Sequence, residues 1–350
     1  MKPDTSTIDL HLVPIAQYLL DPSVTEIVIN RPGELRLERR NGWEVLQVPA
    51  LNHAWCRDLT NLLRNSANQD LTEGWPLLGA RMYGSLRAQV VIPPAVAAGM
   101  ISVTIRRTSA DPMTLPQIVD GGAFVGARCQ QSLLLTGDER ARLEHGLPEQ
   151  ERRLLALFRT REWEGFFRAA VVARKNIVSS GATGSGKTTL GNALAAMIPM
   201  EERIITVEDV AEMRLPHADQ VNLFYAKGAN GLSHLKPRDL LEACLRMRPD
   251  RVLLAELRGE EAFYFIQNVI NSGHPGTITT VHASSSKLAF HRMAMLVKQS
   301  PEGGGLDLAD IMETLYALVD VVVQMERQPG GRRVVTEVYY DPAFAARQFG

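Results

Sequence analysis

From Lys175 onward the chain repeats one pattern. Short, almost wholly apolar runs end in polar residues and are separated by longer mixed segments: KNIVSSG (175–181), RIITVED (203–209), RVLLAE (251–256) and TITTVHA (277–283). A strand with no polar alternation has both faces covered, which is the pattern of a parallel sheet flanked by helices. The stretch between the third and fourth runs carries Ala262, Ile266, Val269 and Ile270 at helical spacing. In such sheets ligands bind beyond the carboxyl ends of the strands. The pattern therefore places the loop after Ser180, the pair Glu208 and Asp209, Glu256, and His282 along one edge.

The first part of the chain alternates differently. Leu10, Leu12, Ile15 and Leu19 set a rough helical stripe. EIVIN (26–30) reads as a strand ended by Pro32-Gly33, and ELRLE (34–38) as a half-buried return strand. DLTNLLRNS (58–66) is helical, while SLRAQVVI (85–92) and MISVTIR (100–106) read as strands joined through PPAVAAG. Together these predict a small α+β domain over residues 1–110. Residues 111–150 hold prolines, glycines and then the highly charged DERARLEHGLPEQERRLL, which predicts a linker, either a hinge or a subunit-crossing connector. An aromatic-rich helix follows at 154–172, with Phe158, Trp163, Phe166 and Phe167 packing onto a second domain over 151–350.

Composition narrows the classes. At 350 residues the chain has room for two cores. Its 38 basic and 39 acidic residues nearly cancel, which argues against a sequence-independent grip on nucleic acid. No stable sequence-specific nucleic-acid binding is expected. Cys56, Cys129 and Cys244 are far apart and match no metal spacing, so they read as reduced core thiols in a cytoplasmic setting. The least charged run, 88–105, contains Pro93-Pro94 and Gly99 and would break as a spanning helix.

The loop after the first apolar run carries the chemistry. GATGSGKT (181–188) fits G-x-x-x-x-G-K-[ST], followed by Thr189 and a helical segment. Backbone N–H groups can wrap a polyphosphate only where side chains stand clear, hence Gly181, Gly184 and Gly186, with Ala182, Thr183 and Ser185 between them. The opening helix adds free N–H donors, Lys187 reaches the β/γ phosphates, and the Thr188 hydroxyl is the metal ligand for Mg²⁺. Phosphoryl transfer to water also needs a group that handles the water. Glu256 is the first candidate general base; a helix-start carboxylate is the alternative. Glu208 and Asp209 are a paired alternative: one orients water or Mg²⁺ through bound solvent while the other caps the next turn, and which does which stays open. His282 is placed to sense the γ-phosphate, and His274 is a weaker candidate. Arg246, Arg248 and Arg251 offer an arginine finger for a neighbouring subunit, or a solvated helix end. Arg87 and Arg106 lie in apolar strands and are candidates for nucleotide contact, or a salt-bridged surface.

The ordered motifs GATGSGKTT, ITVEDVAEM, LRMRPDRVLLAELRGEEA and SGHPGTITTVHASS resemble the Walker A, Asp-box, Walker B and His-box motifs of the secretion-ATPase superfamily. DPSVTEIVINRPGEL and RAQVVIPPAVAAGMISVTIRR resemble the N-terminal domain of its type IV secretion branch. The resemblance implies a RecA-like P-loop domain with a mostly parallel sheet, preceded by a small α+β domain, with ATP bound between the two. It implies Asp-box roles for Glu208 and Asp209, a Walker B role for Glu256 and a His-box role for His282. It further implies a homo-hexamer that works with other secretion-channel ATPases and inner-membrane components, peripheral on the cytoplasmic face of the inner membrane. One departure is Ala255, where the family usually has Gly before the Walker B glutamate. The expected function is a traffic ATPase powering type IV secretion, conjugative transfer or pilus assembly. A pilus-retraction or type II secretion ATPase is the nearest alternative; a RecA-like nucleic-acid translocase and a non-hydrolysing nucleotide switch are alternatives of other classes.

Overall fold

In the computed structural model, Pro14 splits the N-terminal apolar stripe. It stands in a 3₁₀ turn, Val13–Ile15, between α1 (Thr7–His11) and α2 (Ala16–Leu20). A single helix through this point would lose a backbone donor and meet the pyrrolidine ring. Leu12, Ile15 and Leu19 are buried as expected, whereas Leu10 is 63% exposed. The structure describes residues 7–349 apart from 40–41, 68, 83–85, 108–111, 133, 226–234 and 272. They fall into two units, one ending in the segment up to 111 and the other starting at Pro112.

The N-terminal unit is one antiparallel sheet backed by helices. Its strands are β1 (Val24–Ile29), β2 (Glu34–Arg39), β3 (Gly42–Gln47), β4 (Leu77–Arg81), β5 (Leu86–Val91) and β6 (Ser102–Arg107), in the order β3-β2-β1-β6-β5-β4. The helix α3 (His53–Ala67) buries Trp55, Cys56, Leu59 and Leu63 against the core that also holds Ile27, Leu37, Val90 and Val103.

The second unit begins with a correction. Residues 112–150 are not a linker. They form α4 (Leu115–Asp120), β7 (Arg128–Gln130) and α5 (Gly137–His145) and belong to the second unit. Both helices start in capping boxes: Thr114 with Gln117, and Thr136 with Glu139. Leu115, Ile118 and Phe124 are buried in the same core as Phe158, Trp163 and Phe167. The expected aromatic helix is two, α6 (Glu149–Thr160) and α7 (Trp163–Val172), because Arg161 turns left-handed at φ +61°.

The remaining elements are β8 (Ile177–Gly181), α8 (Lys187–Ala195), β9 (Ile204–Glu208), β10 (Gln220–Phe224), α9 (Pro237–Leu245), β11 (Arg251–Leu254), α10 (Glu261–Tyr264) running into a π-helical turn at Phe265–Ile270, β12 (Ile278–Val281), α11 (Ser286–Gln299), α12 (Leu308–Leu318), β13 (Val321–Arg327), β14 (Arg333–Tyr340) and α13 (Pro342–Phe349). The strands order as β10-β9-β11 and β12-β8-β13-β14-β7, all parallel except the β13–β14 hairpin. The two groups meet where Thr277 Oγ1 donates to Val252 O (2.8 Å), Thr280 Oγ1 to Ala255 O (2.9 Å), and Leu257 N to Thr280 O (2.9 Å).

Alternate residues of these strands serve opposite faces, as the side-chain period of two requires. Ile177, Ile204 and Leu253 join the core of α4, α6, α7 and α8, while Val178, Ile205 and Leu254 join the core of α9, α11 and α12. This is the both-faces-covered sheet expected from the apolar runs. Burial raises the thiol of Cys56 to about 11 and that of Cys244 to about 12, so both behave as small core residues. Among the described residues, no helix is long and apolar enough to cross a membrane.

Candidate active site

The carboxyl ends of β8, β9, β11 and β12 deliver the functional side chains, beginning with the loop after β8. Gly181 sits against β13: a Cβ there would fall 2.3 Å from Met325 O and 2.6 Å from Ser185 Oγ. No side chain fits. Gly186, at φ +101°, is the N-cap of α8, and a Cβ would press on Arg333 Cδ at 3.1 Å. The loop thus closes tightly and turns into a helix whose first N–H groups point outward. Ala182 and Thr183 are exposed at its crest, and Thr189 is half-buried in the first helical turn.

Lys187 lies folded back on this loop. Its ammonium donates to Gly181 O (2.7 Å) and Ala182 O (2.8 Å) and is 3.5 Å from His282 Nδ1. Ser185 is buried, and its hydroxyl has no hydrogen-bond partner among the described residues. A buried ammonium over carbonyls and an orphaned hydroxyl in a side-chain-free cradle fit a polyphosphate, whose oxygens would satisfy both. Thr188 Oγ1 faces a carboxylate, donating to Glu212 Oε2 at 3.2 Å, which suits a hard divalent cation. Among the described residues no group of three or more His, Cys, Asp and Glu side chains could hold a metal ion.

His282 links the loop to Glu256. Its Nε2 lies 3.1 Å from Glu256 Oε1, which fixes the proton on Nε2 and leaves Nδ1 toward Lys187. Burial, Lys187 and Arg258 all hold its pKa below the ordinary histidine value, so the ring is neutral near pH 7. Glu256 also pairs with Arg258 Nη2, and Arg258 Nη1 meets Asp209 Oδ2 at 3.0 Å. Glu261 fixes the turn carrying Arg258, accepting from the backbone N–H of Arg258 (2.7 Å) and of Gly259 (2.9 Å). Lys187, His282, Glu256, Arg258 and Asp209 therefore form one continuous polar chain.

Glu208 stands apart from that chain. It is fully buried, and its oxygens accept from Thr206 Oγ1 (2.8 Å), Asn222 Nδ2 (3.3 Å), Glu212 N (2.7 Å) and Met213 N (2.8 Å). Burial pushes its pKa up against these donors, which pull it down. These four donors engage its oxygens and tie it to the turn after β9.

Arg251 and His274 stand at the amino ends of their strands. Arg251 opens β11 at the amino end of the sheet, fully buried and bidentate to Glu202 (2.8 and 2.9 Å). Arg246 pairs with Glu242, and Arg248 precedes the same strand end at φ +54°. His274 precedes β12, at the end opposite His282. In the N-terminal unit, Arg87 and Arg106 are ladder partners on β5 and β6, and Arg106 pairs with Glu26 at 2.9 Å. Sequence reasoning missed Arg258, Glu212 and the ladder partners Arg327 and Arg333; Arg333 Nε donates to Gly184 O at 3.2 Å. Arg258 and Glu212 lay inside quoted motifs, but only the folded turns give them partners.

A phosphate loop between a parallel strand and its helix, with a glutamate and a histidine at neighbouring strand ends, defines a P-loop ATPase with a RecA-like sheet. The family model described as "Type II/IV secretion system protein" matches residues 156–330. The VirB11 type IV secretion system protein of Bartonella quintana is 43% identical over 340 residues, covering 97% of this chain and 94% of that one. The crystal structure of the VirB11 ATPase from the Brucella suis type IV secretion system, determined with sulphate, is 40% identical and covers 98% of this chain and 100% of its own, with a TM-score of 0.53. The pilus retraction motor PilT with bound ADP shares the fold, at 17% identity and a TM-score of 0.60 over 97% of this chain and 86% of its own. The chain belongs to the type II/IV secretion system protein family, in its type IV branch, and is an ATPase.

Proposed function

We propose that this chain hydrolyses Mg²⁺-bound ATP at the loop 181–188 and that the turnover powers type IV secretion, as conjugative DNA or protein transfer or as pilus assembly. The observation that carries the reading is the polar chain from Lys187 through His282 to Glu256 and Arg258. Lys187 exchanges its loop carbonyls for phosphate oxygens, and the N–H groups opening α8 face the same charge. Thr188 would hold Mg²⁺, which when bound neutralises phosphate charge. Glu256 takes the attacking water's proton; neutral His282 donates to it through Nε2–H and so aims its carboxylate. Arg258, shared with Asp209, stands against the Glu256 carboxylate. An anion contact is proposed for Arg87 and Arg106 because they stand side by side in register.

Six copies forming a ring, working with other secretion-channel ATPases and inner-membrane components at the cytoplasmic face of the membrane, complete the proposal. A membrane-peripheral place agrees with the lack of a spanning helix among the described residues. The test is a pair of variants. Lys187→Ala should lose turnover, and Glu256→Gln should still bind ATP while hydrolysis falls by about 10²–10⁴-fold. Wild-type hydrolysis by Glu256→Gln would overturn its assignment as the base.

A further inference from the structure

Polar residues interrupt the apolar pattern of the sheet in one transverse row. Ser180 on β8, Gln324 on β13, Glu337 on β14 and Arg128 on β7 are successive ladder partners. On β13, Val321, Val323 and Met325 serve the core of α4, α6, α7 and α8, while Val322 serves the core of α9, α11 and α12. Strand alternation therefore turns Gln324 toward α11. On β14, Val335 and Val338 both serve the first core although they are three residues apart, because a bulge opposite Gln324 and Met325 takes up Thr336. The extra residue turns Glu337 to the α11 face, beside Gln324.

Both side chains reach the segment that joins β12 to α11 and begins with His282. Gln324 Nε2 donates to Ala283 O at 3.2 Å. Glu337 Oε2 accepts from Ser286 N (2.9 Å) and Ser286 Oγ (2.7 Å), and its Oε1 accepts from Arg128 Nη2 at 2.8 Å. Resting on the reading that His282 aims the Glu256 carboxylate, we infer that Gln324 and Glu337 are positioning residues for His282, pinning the segment behind it at two points. The burial of Gln324 supports this role. It is 1% exposed, and its Oε1 has no hydrogen-bond partner among the described residues; the hydroxyl of its ladder neighbour Ser180 is buried in the same condition. Buried polar groups are normally paired, and an apolar side chain of similar volume would sit here without an orphaned acceptor. What the amide adds is one donor aimed at the main chain behind His282. Glu337 adds the second hold, and its charge suits the N-terminal end of α11. With that main chain fixed, the ring keeps both contacts, Nε2 at 3.1 Å from Glu256 Oε1 and Nδ1 at 3.5 Å from Lys187 Nζ.

The test separates positioning from packing. Gln324→Met keeps the volume and removes both the donor and the orphaned acceptor, so thermal unfolding should stay near wild type. A misplacement of about 1 Å can lower a rate about 10²-fold, so kcat should fall about 10–100-fold. KM for ATP should be unchanged, since Lys187 and the loop N–H groups are untouched. The His282 midpoint by NMR should rise toward the ordinary 6.5 as the ring drifts from Lys187 and Arg258. Glu337→Ala should act in the same direction, and Glu337→Gln, which keeps an acceptor for the Ser286 N–H, should restore most of the rate. In a His282→Ala background, single-turnover hydrolysis should fall little further on adding Gln324→Met. A lowered melting temperature with an unmoved His282 midpoint would make Gln324 a packing residue. An undiminished loss in the His282→Ala background would show that it does not act through His282; either result overturns the inference. Wild-type turnover by His282→Ala would instead overturn the reading on which it rests.

Discussion

Replacing Arg251 by methionine separates a buried keystone from an arginine finger. Arg251 is fully buried; its Nε and Nη2 donate to Glu202, itself 8% exposed, and its Nη1 to Gly276 O at 3.4 Å. Methionine removes the guanidinium but keeps much of the volume, so the main loss is compensation of the Glu202 charge. Breaking one side of a buried pair costs about 3–5 kcal/mol. Arg174 also reaches Glu202, at 3.0 Å, so the low end, about 3 kcal/mol, applies. For a unit of this size each kcal/mol lowers the melting temperature by about 2–4 °C, which gives a drop of about 6–12 °C. The assay is thermal unfolding of wild type and Arg251→Met, with ATPase turnover measured well below both transitions. Turnover per folded molecule should survive. A variant that melts with wild type yet loses turnover would refute the keystone argument and make Arg251 a finger. Adding Glu202→Gln to Arg251→Met should recover part of the loss, since no charge is then left unpaired.

His282 should titrate below 6.5 by NMR, because burial first, and then Lys187 and Arg258, disfavour its charged form. A depressed folded pKa means that the associated stability is present above the unfolded value and lost as pH falls through the folded one. Lys187→Ala should move the midpoint up toward 6.5, and an unmoved midpoint would count against the Lys187–His282 approach. On the N-terminal unit, hydrogen bonds from Arg39 first, and then Ser23, hold the Asp21 carboxyl at about 2, below the ordinary 3.8. Its contribution is present above 3.8 and lost as pH falls through about 2. Asp21→Asn should flatten that part of the acid-stability profile, and an Asp21 carbon signal titrating near 3.8 would sink the pairing.

The strands carrying the phosphate loop, Asp209, Glu256 and His282 were legible because central parallel strands are apolar on both faces. The same logic failed where its premise was absent. On β3 four consecutive residues, Gly42, Trp43, Glu44 and Val45, are exposed, so no alternation marks it as an edge strand. Residues 112–150 looked like a connector because their charge and prolines dominate the composition, yet two capping boxes were written in the sequence at Thr114 and Thr136. The P-loop lysine and threonine were readable from spacing alone. Glu212 and Arg258 were not, since their roles depend on turns that curl back to α8 and toward Glu256. His274 stands at the start of β12, whereas ligands gather at the ends of such strands, and Arg251 is buried against Glu202, which its position in the sequence did not reveal.

The boundary between β11 and β12 has a mechanical consequence. Among the described residues the two strands share no backbone ladder and are joined by two threonine hydroxyls, one main-chain bond and the Arg251 guanidinium, which reaches Gly276 O. Glu256 follows the strand on one side of this seam; Lys187 and His282 belong to the other. A shear along the seam would slide the water-handling carboxylate past the phosphate cradle while every true ladder stayed intact. Loss of the hydrogen bond between His282 and Glu256 would then report that displacement directly, which ties the spacing of the reacting groups to how far one half of the sheet has slipped against the other.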